Sequence, residues 1–163
     1  MDLIDAAENG DIELVWVLLD SGVDVNVKDR YGSTALIIAA SLEEETDIVR
    51  LLLKNRADPN IQNNYGKTAL MKATPTGEEN VKLLLKNRAD PNIRDMHGST
   101  ALKTPVLRED IEVVRLLLEN NADPNIKGID DDTPLIYASS SGYTDIVQLL
   151  LENDADPDII GVD

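Results

Sequence analysis

The chain contains no cysteine and no phenylalanine, and its aromatic complement is one tryptophan and four tyrosines. The lack of cysteine removes disulfides, thiolate metal sites and thiol catalysis together, and favours a reducing compartment. A core without phenylalanine must be built from Leu, Ile, Val and Ala. Apolar residues make up 42% of the 163 positions, enough for thin helical layers rather than one thick globule. Positive charge is also scarce: 15 Lys and Arg stand against 31 Asp and Glu, a formal net charge of −16. Phosphate binding needs a basic stripe, so nucleic acid is not an expected partner. The acidity serves solubility or marks a basic partner. No run nears the ~18 apolar residues of a membrane helix, so no membrane partner is expected. The acidic start MDLIDAAENGDIE has no apolar segment of a signal peptide. Together these absences lead us to expect an intracellular protein, cytoplasmic or nuclear.

What is present is repetition. LLLKNRADPNI occurs at Leu51–Ile61 and again, letter for letter, at Leu83–Ile93. Variants stand at Val17–Val27, Leu116–Ile126 and Leu149–Ile159, so the period stays between 32 and 34 residues. A near-constant period of this size signals stacked structural units. A second recurring stretch opens each unit: Gly32-Ser-Thr34-Ala-Leu36, Gly66-Lys-Thr68-Ala-Leu70, Gly98-Ser-Thr100-Ala-Leu102 and Asp131-Asp-Thr133-Pro134-Leu135. The Thr suits a helix N-cap, Pro134 suits the first helical position, and the preceding Gly suits a positive φ. Leu36, Ala39 and Ala40 follow at helical spacing. The second helix carries Ile48, Val49, Leu51, Leu52 and Leu53, which is apolar on most sides. Each unit therefore reads as turn, helix, turn, helix, and stacking covers what one unit leaves bare.

This unit resembles an ankyrin repeat, in its Thr-(Pro/Ala)-Leu start, paired Ala, Leu-rich second helix and Ala-Asp-x-Asn exit. The resemblance covers the whole chain in five units: a half-cap at Met1–Lys28, then Asp29–Gln62, Asn63–Arg94, Asp95–Lys127 and Gly128–Ile160. It implies an all-α repeat solenoid of stacked units, each a hairpin turn followed by two antiparallel helices, in one domain. The departures from the family pattern carry expectations. Arg56, Arg88, Asn121 and Asp154 replace a helix-ending Gly, which survives only as Gly22; left-handed Arg there costs up to ~1–2 kcal/mol each. Pro105 stands where a first helix should carry Ala, so that helix should be short or bent. Asp131 replaces the turn Gly of the last unit, whose hairpin should be irregular. A one-residue insertion at Glu43–Glu45 and a deletion near Thr76–Glu79 fall between helices, where length change is cheap.

Nothing in the sequence supports catalysis, a cofactor or a small-molecule substrate. The one histidine, His97, has no Cys or fixed acid beside it. Asp130–Asp132 hints at calcium, but Gly and Glu are missing from the sixth and twelfth positions of an EF-hand loop. Asp154, Asp156 and Asp158 alternate, yet Asp156 is the repeat's own Asp. No metal is expected.

Function must then lie in surfaces, and the resemblance implies a protein partner held on the concave face of hairpin tips and first helices. The tips bring Tyr31, Tyr65 and His97 to one place in successive units, beside Arg30, Asn64, Met96 and Ile129. Leu42, Leu107 and Arg108 lie at the edge. Lys28, Lys67, Arg94 and Lys127 make this the least acidic surface. Tyr, Met and Arg favour interfaces, although the tyrosines can equally pack on adjacent hairpins. Acids gather around the interhelix loops, at Glu43–Glu45, Glu78, Glu79, Glu109, Asp110 and Asp145, where they either favour helix dipoles or meet a basic partner. Trp16 stands where other second helices have Arg50, Lys82, Arg115 and Gln148, so it should be at least half exposed; it either folds over the first unit or takes part in self-association of an otherwise monomeric chain. Asn26, Asn60, Asn92 and Asn125 match the family's asparaginyl hydroxylation pattern, Asn two after an Asp with a Leu six before it, and also suit turn closure by the amide. The alternative is a structural scaffold or a designed or reconstructed repeat without a natural ligand.

Overall fold

The structure is a computed structural model, and it describes residues 1–128 and 131–161. The regular elements of these residues are ten α-helices and no strands. They are α1 (Leu3–Glu8), α2 (Ile12–Asp20), α3 (Ala35–Ala39), α4 (Thr46–Lys54), α5 (Ala69–Ala73), α6 (Glu78–Lys86), α7 (Lys103–Leu107), α8 (Ile111–Glu119), α9 (Pro134–Ser141) and α10 (Thr144–Glu152). The chain divides into two compact units, Met1–Ala89 with α1–α6 and Asp90–Asp163 with α7–α10.

Helices of five residues, such as α3 and α5, are too short to persist alone. Two things hold them. The Thr34, Thr68 and Thr133 hydroxyls accept from the N–H groups of Ile37, Met71 and Ile136 at 3.3, 3.4 and 3.2 Å, closing one open end of α3, α5 and α9. The second anchor is burial: Leu36, Ala39, Ile48, Val49 and Leu52 are buried in the first unit, as are Leu117, Ala138, Ile146 and Leu150 in the second. The second helices begin with acids. Asp11 and Asp110 cap α2 and α8, accepting from Leu14 and Val113 at 3.0 and 3.1 Å. Asp47, Glu78, Glu79 and Asp145 sit in first turns, where the helix dipole favours negative charge.

The third first-helix departs from expectation in an unforeseen way. It is neither shorter than α3 and α5 nor broken. It starts late, at Lys103, with Leu102 at its cap and no side-chain cap bond. Pro105 thereby becomes the third helical residue, in the first turn, where its missing N–H has no helical partner to lose. The cost falls on Thr100. The N–H of Lys103 turns to the Thr100 carbonyl, at 3.3 Å, and the expected hydroxyl cap is absent.

The hairpins are tight turns. In the first, Asp29 donates its N–H to the Ser33 carbonyl at 2.9 Å, and Gly32 donates back to Asp29 at 3.0 Å. The Asp29 carboxylate accepts from the N–H groups of Tyr31 and Ser33 at 2.7 and 2.8 Å. Asn63 and Asp95 repeat this arrangement. The last turn, expected to be irregular, keeps the backbone pattern. Gly128 donates to the Asp132 carbonyl at 3.1 Å, and Asp131 donates to Gly128 at 3.2 Å. Asp131 adopts φ 57°, close to the 73°, 74° and 67° of Gly32, Gly66 and Gly98, because a short acidic side chain tolerates the left-handed region. What this turn loses is the carboxylate clasp, since Gly128 has no side chain. The second-helix ends follow the sequence reading: Arg56, Arg88, Asn121 and Asp154 stand at φ between 64° and 66°.

Candidate partner-binding surfaces

In the first compact unit the hairpin clasp turns Tyr31 and Tyr65 outward, and they are 47% and 51% exposed. The Arg30 guanidinium lies 4.7 Å from the centre of the Tyr31 ring, a cation–π pair that limits the rotamers of both. Asn64 joins the two tips, donating its N–H to the Tyr31 carbonyl at 2.9 Å and its amide to the Arg30 carbonyl at 3.2 Å. The approach is so close that a Cβ on Gly32 would stand 2.5 Å from the Asn64 Oδ1. Asn64 thus braces the tips. Leu42 is half-buried. In the second unit Met96 is 60% exposed, His97 and Arg108 are exposed, and Leu107 is half-buried. Ile129, expected beside them, and Asp130 lie outside the described residues.

The tip cations are tied down more than their sequence positions suggest. Lys28 donates to the Gln62 carbonyl at 3.1 Å. Arg94 donates to the carbonyls of Gly98 and Lys127 at 3.1 and 2.9 Å, and Lys127 to that of Ile160 at 3.0 Å. Each reaches the same place in the next repeat. Lys67 is half-buried and partnered. These side chains fasten hairpins while their charge stays at the tips.

Asn26, Asn60, Asn92 and Asn125 are half-buried and join consecutive repeats. Asn92 donates to the Asn121 carbonyl at 2.9 Å and accepts from the Asp123 N–H at 2.7 Å. Asn125 does the same with Asp154 and Asp156, at 3.0 and 2.8 Å. Asn60 donates to the Arg88 carbonyl at 3.1 Å, and Asn26 accepts from the Asp58 N–H at 2.9 Å. The carbonyls reached belong to the left-handed residues that end the second helices.

Two surfaces escaped the residue pattern. On the first unit, Ile12, Trp16 and Val17 of α2 and Leu51 of α4 line an open apolar groove, with Trp16 56% exposed as its sequence position implied. On the second unit, a pocket of about 150 Å³ opens among Lys103, Val106, Leu107, Ile126, Pro134 and Tyr137. No signal in the sequence marks it, because it consists of space left by segments far apart in the chain.

A family model of ankyrin repeats, in three copies, matches residues 3–95 and 80–160. A putative ankyrin repeat protein of Rickettsia prowazekii (strain Madrid E), RP714, is 54% identical over 39 residues, which cover 24% of this chain and 36% of that protein. The chain thus spans about a third of that relative's length.

Proposed function

Because the chain belongs to the ankyrin repeat family, whose members are in general non-enzymatic protein–protein interaction modules, we propose that it binds a partner protein through its hairpin tips and first helices. This is the concave face of the family. The observation that carries the reading is the exposed, braced pair Tyr31 and Tyr65. Two half-exposed aromatic rings cost solubility and bring no core burial, yet Arg30 and Asn64 hold their hairpins in one arrangement. Tyrosine has few rotamers to freeze on binding, and such a ring is worth ~2 kcal/mol or more as a hot spot at the centre of an interface. In the second unit Met96 and His97 are the corresponding tip residues, with Leu107 and Arg108 at their edge, and Leu42 lies at the edge of the tips in the first unit. A neutral or acidic partner suits the tips, the least acidic surface of the chain.

The test begins with a partner found without bias. Tyr31→Ala with Tyr65→Ala is expected to weaken binding at least tenfold, and Glu44→Lys with Glu79→Lys to leave it within about threefold, in calorimetric titrations. The reverse pattern would move the function to the acidic interhelix loops, and binding there would fall steeply with salt.

A further inference from the structure

The pocket of the second compact unit lies where three departures from the repeat meet. First, Lys103 occupies the place that Ile37 and Met71 fill as buried side chains in earlier repeats; here the side chain is half-buried. Second, α7 begins late, at Lys103, and supplies Val106 and Leu107 to the pocket lining. Third, Gly128 stands where Asp29, Asn63 and Asp95 carry side chains; a Cβ there would be 3.9 Å from the Lys103 Nζ. The result is a slot of about 150 Å³ with Val106, Leu107, Ile126 and Pro134 as walls and Tyr137 alongside. The lining is largely apolar, with Ser99, Thr100 and Thr133 also part of it, and a cavity of this size has room for one aromatic ring or branched aliphatic group. At its rim stands the Lys103 ammonium, which has no ion-pair partner among the described residues, in a chain of net charge −16. The rim also carries Asp132, whose Oδ1 lies toward Gly161, 2.7 Å from where a Cβ of that residue would be.

We infer that this pocket takes a single branched apolar side chain of a partner protein segment, with an acidic residue of that segment next to it facing Lys103. The inference rests on the reading of this chain as a protein-binding module and adds an anchor point with a stated chemistry. Apolar walls select the side chain by burial. Lys103, without an ion-pair partner among the described residues, selects the charge beside it, because a basic neighbour would meet repulsion at its ammonium.

The experiment uses the full chain, labelled with nitrogen-15, and follows the backbone amides of Lys103, Val106 and Tyr137 by NMR. The probes are acetyl-Glu-Leu-Gly-amide, acetyl-Lys-Leu-Gly-amide, acetyl-Glu-Ala-Gly-amide and 3-methylbutanoate. The Glu-Leu peptide is expected to bind most tightly, the Glu-Ala peptide about tenfold more weakly for its lost apolar area, and the Lys-Leu peptide several-fold more weakly. Lys103→Glu is expected to invert the order of the two Leu peptides. Lys103→Met, which places the residue of α5 at this position, should keep Leu binding and lose the charge preference. Absence of shifts at the three amides, or an unchanged order in Lys103→Glu, overturns the inference. Equal binding of 3-methylbutanoate and the Glu-Leu peptide overturns the protein segment as occupant and makes the ligand a small acid. Loss of peptide binding here leaves the tyrosine pair untouched, so the two readings fail separately.

Discussion

At Arg56 and Arg88 the backbone is left-handed, with φ of 65° and 66°, in a region where a Cβ costs roughly 1–2 kcal/mol. Glycine removes that clash but adds roughly 0.4–1 kcal/mol of freedom to the unfolded chain. The balance favours the folded state, so Arg56→Gly and Arg88→Gly should each stabilise by about 0.5–1 kcal/mol, read as a higher urea midpoint at unchanged slope. Destabilisation by both would show that their side chains hold the turns in another way. Asn80 presents a different strain. It is 3% exposed, and its Oδ1 has no hydrogen-bond partner among the described residues. The same place in the other second helices holds Leu14, Ile48, Val113 and Ile146. An unsatisfied buried amide oxygen costs roughly 1–3 kcal/mol. Asn80→Val should therefore raise stability by about 1–2 kcal/mol in a thermal melt, and a lower melting temperature would mean that the amide has a role in the native state.

Among the elements, α7 shows how a rule can hold while its expected result fails. Proline is excluded from the helix interior, and the helix, no shorter than α3 or α5, starts late, at Lys103. With Pro105→Ala the amide regained at 105 can bond the Ala101 carbonyl, for roughly 1 kcal/mol, while the unfolded chain gains roughly 0.4–1 kcal/mol of freedom. These nearly cancel. The expected outcome is a stability change below about 0.5 kcal/mol together with clear hydrogen-exchange protection at 105; an unprotected amide there would show that α7 keeps its late start for another reason. The second helices were legible because Ile48, Val49, Leu52 and their counterparts state their burial in the letters. So was the exposure of Trp16, through the polar residues at matching places. The bracing of the tips by Asn64 and the carbonyls reached by Lys28, Arg94 and Lys127 were not legible. Those bonds depend on the distance between successive hairpins, which no single repeat encodes. The slot beside Lys103 was hidden for the same reason.

For the molecule as a whole, 31 acids against 15 bases set the dominant electrostatic term. The pairs Arg50–Asp47, Arg50–Glu79 and Lys82–Glu78 are all largely exposed, and such pairs contribute little. These pairs leave most of the repulsion in place. Raising salt from ~10 mM to ~150 mM shortens the screening length from roughly 30 Å to 8 Å and should stabilise the fold by an amount on the order of 1 kcal/mol. A denaturation midpoint that stays level or falls with salt would mean that the acids are neutralised locally, at helix ends.

The asparagines at the repeat exits act in one direction along the chain. Asn92 precedes by about thirty residues the Asn121 carbonyl and Asp123 amide it binds, and Asn125 stands in the same relation to Asp154 and Asp156. On a ribosome, the earlier residue emerges first. Each newly extruded second helix thus finds the group that finishes its end already in the open, and the order of manufacture matches the order of dependence. A chain delivered from the other end would hold its helix ends open until their asparagines arrived.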